Sequence, residues 1–476
     1  MTQPNIIIIM TDQQRYDTVQ AFGFSHMITP NLDRLAREGV SFAQTYCTAP
    51  SCAPSRASFF NGRYMHSQGV FHNQMEWRHS WVELLQEAGY HTVNIGKMHT
   101  TPYDVPCGFD QRFVVENKDR PMEFTHPHGP FYDEWDKYLM NNGQRKPSRH
   151  HYKAEHPDYP TSLGSFEWPL EEKYHPDVFV GDMATRFIEN RKTDTPLFLQ
   201  IGFPGPHPPY DPPKRYVDRY EGRNVPIPHT TDEEKAKQPY PHAALRREMI
   251  DNNHDAVKWQ EDPTDEQLRR LRTYYAANVT LIDEKIGEIM DALERKGYLN
   301  DAIVIFTSDH GDCVGDHGHI QKWTMYDAVT RVPMIVWSPG RLPAGKRSDA
   351  LIQHMDVAAT VLEFAGIALP EDRDARSLLP DIHSGREYVF AEHPDDWLLK
   401  EVRYLTMVRS RTHKLVHYLD QDCGELYDLI RDPGETDNLW DDAAYRDIRQ
   451  RLLDVIRDWR IRNTLLNKTK DPGFYP

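Results

Sequence analysis

Residues 5–10 read Asn-Ile-Ile-Ile-Ile-Met and run straight into Thr-Asp-Gln-Gln. Four consecutive isoleucines give a strand with no polar side, so both of its faces must be covered. The run is far shorter than the roughly 20 apolar residues of a membrane span. No basic stretch precedes it, so it is not a secretion signal either. Similar short runs recur at 91–96, 196–203, 302–308 and 333–337, with amphipathic helical patterns between them. Alternation of this kind predicts an α/β fold: a large mixed, mostly parallel sheet sandwiched by helices. The helices carry their own punctuation. Pro30 opens one and Gly39 stops it; Gly89 and Gly366 end two others; residues 265–296 form one long amphipathic pattern that stops at Gly297.

The pattern changes near residue 380. Tyr-Val-Phe-Ala-Glu-His, Tyr-Leu-Thr-Met-Val-Arg-Ser and His-Lys-Leu-Val-His-Tyr-Leu read as short antiparallel strands, followed by a helix from Tyr445. A catalytic domain over 1–380 and a smaller C-terminal α+β subdomain over 381–476 is the expected division of 476 residues. Segment 118–170, rich in His, Pro and aromatic residues, has no period and is expected to run over the surface and line a substrate site.

A net charge of −16 argues against a nucleic-acid or anionic-membrane binder. Five scattered cysteines with no C-x-x-C pair give neither a zinc ribbon nor a disulfide framework. The expectation is a cytoplasmic protein, with no membrane association.

In an open α/β sheet, ligands bind beyond the carboxyl ends of the strands. The residues that follow the apolar runs are Asp12 and Gln13, Lys97 and His99, His207, and Asp309 and His310. Asp12, Gln13, Asp309 and His310 suit a divalent cation, with oxygen donors favouring Ca²⁺, Mg²⁺ or Mn²⁺ and the imidazole pulling toward Mn²⁺. Lys97, Arg56 and Lys322 could hold a tetrahedral anion. His99 and His207 could move protons near neutral pH. The stretch Ala49 to Arg63 places Cys52 at a helix start, with Pro54 expected at the first helical position and Arg56 one turn on from the cysteine. Such a start favours anions. By itself the segment is also compatible with a buried structural cysteine or a plain thiolate nucleophile.

Weaker candidates surround these. His72 and Asn73 follow the Arg56 helix and could line the pocket. His126 and His128, and the pair His150–His151, have no framing carboxylate and read as loop histidines. Asp316, His317 and His319 could support the site, and Cys313 reads as structural.

Cys52-Ala53-Pro54-Ser55-Arg56 resembles the C-x-P-S-R signature of type I sulfatases, in the alkaline-phosphatase-like superfamily. The first strand with Asp12, the segment Gly89–His99, the segment Phe306–Asp327 and the tail Gly424–Leu439 also resemble that family, so the likeness spans nearly the whole chain. The resemblance implies that Cys52 is oxidised to formylglycine by a maturation enzyme. It implies one divalent metal, calcium by default with manganese or magnesium as alternatives, held by Asp12, Gln13, Asp309, His310 and residue 52. Gln13 and His310 depart from the common Asp and Asn, as in the choline-sulfatase and phosphonate-monoester-hydrolase branches. The implied mechanism has a formylglycine hydrate attack sulfur, with Asp309 as base and Arg56 orienting the diol. Lys97 and Lys322 neutralise the sulfate oxygens, His207 serves the leaving oxygen, and His99 takes the proton that lets the intermediate collapse. Lys97, His207, Lys322, His72 and Asn73 are thereby expected at the substrate. The implied activity is sulfuric-ester hydrolysis. The rivals are phosphonate-monoester or phosphodiester hydrolysis by the same machinery, and an inactive member that only binds sulfated ligands. A homo-oligomer is expected by the same analogy.

Overall fold

The computed structural model describes residues 3–116, 118–120 and 131–466. Its large sheet comprises β1 (Asn5–Asp12), β2 (Val40–Tyr46), β3 (His91–Gly96), β4 (Gln111–Val114), β5 (Leu197–Pro206), β6 (Ala302–Ser308), β7 (Arg331–Val332), β8 (Met334–Trp337) and β9 (Lys346–Gln353). The strand order is β4-β3-β5-β1-β6-β8-β2-β7, with β9 pairing β2. β1 lies mid-sheet, with Ile6 opposite Phe198 of β5 on one side and Ile303 of β6 on the other, both in parallel register. β3 pairs β5 in parallel as well, whereas β8 runs antiparallel to β6 and makes the sheet mixed.

The isoleucine run explains this layering. Ile7 and Ile9 pack into one core with helices Pro176–Asn190 and Asp265–Arg295, through side chains such as Ile188, Leu281 and Ile286. Ile6, Ile8 and Met10 face the other core with Phe59, Phe60, Val361 and Leu362. Each face of a strand takes alternate residues, so an unbroken apolar run can serve only a sheet covered on both sides. Among the described residues, no helix is long and apolar enough to cross a membrane.

The sheet's geometry at one strand pair sets where Lys97 goes. Lys97 N–H donates to Gly202 O at 2.8 Å. A Cβ on Gly202 would stand 2.0 Å from the Lys97 carbonyl oxygen. Gly202→Ala is therefore expected to force β3 and β5 apart just where Lys97 leaves the sheet. It should cost about 1–3 kcal/mol, seen as a lower urea midpoint, with a larger proportional loss of turnover. An unchanged midpoint would contradict this account of the close approach.

A second, four-stranded antiparallel sheet is formed by β10 (Val389–Pro394), β11 (Tyr404–Arg409), β12 (His413–Tyr418) and β13 (Gly424–Asp428). Helix Arg446–Leu466 covers it through Leu452, Ile456 and Trp459, the last stacked on Phe390 with ring centroids 4.3 Å apart. Tyr64 and Met355 from the rest of the chain join this cluster.

Candidate active site

Because β1, β3, β5 and β6 are mutually parallel neighbours, their carboxyl ends lie along one edge of the sheet. Asp12 ends β1; Lys97, His207 and Asp309 each follow directly after β3, β5 and β6. Opposite that edge stands helix α1 (Cys52–Asn61). Its residues from Cys52 to Phe60 are all buried, so it is a core helix with one functional end. The helix begins at Cys52 itself, which corrects the expected register: Pro54 is the third helical residue, not the first. Proline is tolerated there because N–H groups in the first turn have no intrahelical acceptor anyway. Ser51 makes no side-chain cap. Instead Asn73 Oδ1 accepts from Ala53 N–H at 3.0 Å, so Asn73 braces the turn that carries Cys52.

The Cys52 side chain is 1% exposed and densely surrounded. Its Sγ lies 3.0 Å from Lys322 Nζ, 3.2 Å from His310 Nε2 and 3.6 Å from Asp12 Oδ1. Arg56, one turn along, donates through Nε to Asp309 Oδ2 at 2.8 Å and through Nη2 to Asp12 Oδ2 at 3.1 Å. Lys97 Nζ reaches the same Asp12 oxygen at 2.7 Å. Gln13 Oε1 accepts from Lys322 at 2.9 Å, while its Nε2 donates to Asp312 Oδ2 at 2.7 Å. Ser55 donates its hydroxyl to Asp309 O at 2.6 Å, tying α1 to the end of β6.

Burial alone would raise the Asp12 carboxyl, but Lys97, then Arg56, His207 and Lys322 hold it well below the usual carboxylate range. Burial and Asp12 push the Cys52 thiol up; Lys322, His310 and Lys97 outweigh them and hold it below the ordinary thiol value. Burial and then Lys97 drive His99 well below the ordinary imidazole value, leaving a neutral ring whose buried Nδ1 has no hydrogen-bond partner. Burial and Lys322 lower His207 in the same way.

Asp12, Cys52, Asp309 and His310 each offer a ligand atom, and these atoms lie within 4.8 Å of one another, all buried. His310 Nδ1 sits 2.8 Å from Gly311 O. A carbonyl can only accept, so in the neutral ring the proton is on Nδ1 and the bare Nε2 faces the cluster. Two carboxylates and one imidazole lone pair make a donor set that fits a divalent cation. Among the described residues no other group of three or more such side chains converges in this way.

The remaining candidates have the following surroundings. His72 is half-buried with an unpartnered Nδ1. His151 pairs with Ser148 at 2.9 Å on a short helix. His126 and His128 lie outside the described residues. Asp316 binds Arg15 and Arg272, His317 binds Glu234 at 2.7 Å, and His319 faces Arg246 at 3.4 Å, a network of their own. Cys313 is buried, its thiol pushed up by burial. Sequence reading did not single out Asp312, Asp255 or the bracing role of Asn73. Asp312 stands two residues beyond His310, and that spacing was the available signal.

The family profile described as sulfatase matches residues 4–367, and that of the N-sulphoglucosamine sulphohydrolase C-terminal region matches residues 315–462. The chain belongs to the sulfatase family. This sulfatase is 30% identical over 467 residues to an arylsulfatase of Clostridium perfringens, covering 94% of this chain and 92% of that one. It is 30% identical over 475 residues to a choline-sulfatase of Rhizobium meliloti, covering 96% and 86%. In fold it is similar to the phosphonate monoester hydrolase of Agrobacterium radiobacter, with a TM-score of 0.79 at 24% identity over 97% of this sulfatase and 96% of that chain.

Proposed function

We propose that this sulfatase hydrolyses organic sulfate monoesters to the alcohol and inorganic sulfate, with residue 52 in its formylglycine form. The observation that carries the reading is the crowding of Arg56, Lys97 and Lys322 around Cys52 and a metal-type cluster at one sheet edge. As the hydrated aldehyde, residue 52 supplies a hydroxyl nucleophile that an ordinary cysteine lacks. Asp12, Asp309, His310 and residue 52 would hold the cation, with Gln13 beside them. When bound, the cation supplies Lewis-acid chemistry and lowers the pKa of a coordinated hydroxyl. Calcium is the metal the family resemblance implies, and the His310 imidazole makes manganese its rival.

The remaining roles belong to the chain's own groups. Arg56 is locked by both carboxylates and orients residue 52. Lys97 and Lys322 meet the non-bridging oxygens as negative charge builds on them. Asp309 serves as base for the attacking hydroxyl. His99, kept neutral by burial and Lys97, is the base for the second proton. His207 gives a proton to the departing oxygen. Cys52 is 1% exposed, so its oxidising partner must reach it before the chain closes around it.

A second reading, phosphonate-monoester or phosphodiester hydrolysis, is supported by the likeness to the Agrobacterium hydrolase fold. Parallel assays on 4-nitrophenyl sulfate and 4-nitrophenyl phenylphosphonate separate the two. The sulfate is expected to be the better substrate in kcat/KM, and Lys97→Ala should cut its turnover by about 10²–10³. A reversed preference would make the second reading the right one, and near-wild-type turnover of Lys97→Ala would remove Lys97 from the machinery.

A further inference from the structure

Asp255 lies in the loop between helices Tyr240–Asp251 and Asp265–Arg295, far along the chain from any strand end. It is 5% exposed. Its φ is +51°, and that of Ala256 is +59°, two successive non-glycine residues in the left-handed region. Such backbone is strained in a residue with a Cβ and persists where surrounding contacts over-determine it. The contacts here are unusual. Oδ1 accepts from both Arg120 Nη2 at 2.8 Å and Arg149 Nη2 at 2.9 Å. Oδ2 stands 3.8 Å from His207 Nε2. His207 Nδ1 is 2.7 Å from Pro208 O; a carbonyl can only accept, so Nδ1 carries a proton, and Nε2, the nitrogen that faces the site, carries one as well only in the imidazolium.

We propose that Asp255 is a positioning residue for the leaving-group proton, standing against the His207 imidazolium, the form in which Nδ1–H donates to Pro208 O and Nε2–H is available to the departing oxygen. The inference rests on His207 being the proton donor. The charged groups acting on His207 are Lys322, Asp12, Asp255 and Lys97. Burial and the two ammoniums oppose a cationic ring and prevail in the free enzyme, while the two carboxylates favour it. Asp12 is engaged directly by Lys97 and Arg56, which leaves Asp255 as the carboxylate that faces the imidazole through Oδ2. At 3.8 Å the attraction is electrostatic and not a hydrogen bond, so the N–H remains available to the substrate. When the S–O bond breaks, its electron pair stays on the alcohol oxygen, which takes the Nε2 proton. The ring is left neutral and is reprotonated from water. The two arginines fix Oδ1 so that Oδ2 keeps its station, and the left-handed backbone is what turns the side chain inward.

General-acid help matters more as the leaving group worsens. The test is a series of substituted phenyl sulfates running from 4-nitrophenyl to unsubstituted phenyl, assayed on the mature enzyme. Asp255→Asn is expected to lose about tenfold on 4-nitrophenyl sulfate and about 10²–10³-fold on phenyl sulfate, steepening the dependence on leaving-group pKa. His207→Ala should steepen it at least as much. An equal loss across the series for Asp255→Asn, with a steeper series for His207→Ala, would overturn the role of Asp255 alone. An unsteepened series for His207→Ala would overturn the donor assignment on which it rests. Should Asp255→Asn fail to fold, Arg149→Met, which loosens the clamp from a half-buried helix residue, decides: a steeper series supports the proposal and an unchanged one refutes it.

Discussion

Cys52→Ala is expected to leave a folded protein whose ester-cleaving turnover has fallen by roughly 10⁴–10⁶, the scale seen when a covalent nucleophile is removed. The fold should survive because residue 52 is the first residue of a buried helix whose register is set by Asn73, Ser55 and Arg56, not by the sulfur. Loss of one sulfur from a packed site leaves a small void and costs on the order of 1 kcal/mol. Serine should do no better than alanine in sustained turnover, since a single hydroxyl offers no second oxygen from which sulfate can be expelled. Steady-state kcat on 4-nitrophenyl sulfate, with thermal unfolding as the control for folding, checks both halves. Retained turnover in either variant would remove residue 52 from the chemistry.

Asp309→Ala is expected to abolish both metal retention and turnover. Asp309 Oδ2 pairs with Arg56, and its Oδ1 accepts from the backbone of Gln13 and His310 at 2.9 and 2.8 Å, so one carboxylate ties three of the site's elements together. Removing it takes away a ligand-type oxygen and leaves the fully buried Arg56 with Asp12 as its remaining carboxylate partner. Breaking a buried pair in this way costs about 3–5 kcal/mol. Metal analysis after gel filtration should show the bound divalent ion lost, and turnover should fall by at least about 10³. Full metal content in Asp309→Ala would contradict the ligand set.

Both predictions stand on residues that could be found from sequence: Cys52 from its own segment and the C-x-P-S-R signature, Asp309 for a topological reason. β6 begins and ends where its apolar run does, because a central parallel strand must be apolar on both faces; β3 coincides with its run although Thr92 and Asn94 make one of its faces polar and buried. Once those runs are known to be parallel, their polar successors share an edge. The strands that escaped notice lack that signature. β2 is Val-Ser-Phe-Ala-Gln-Thr-Tyr and β9 is Lys-Arg-Ser-Asp-Ala-Leu-Ile-Gln. β4 is a four-residue strand at the sheet's edge with only its last residue buried. The loops are opaque for another reason. Asp255 enters the site through a backbone conformation, φ +51°, that no periodicity announces. Asn73 acts through a backbone N–H, a partner that is invisible in a string of side chains.

The central claim is the state of residue 52 in the working enzyme. Mass analysis of the proteolytic fragment carrying Cys52, taken from a preparation of measured specific activity, tests it directly. The fragment is expected to be about 18 Da lighter than the thiol form, as conversion of –CH₂SH to –CHO requires, with specific activity rising in proportion to the lighter fraction across preparations. Full activity from protein whose residue 52 is wholly unmodified cysteine would contradict the account.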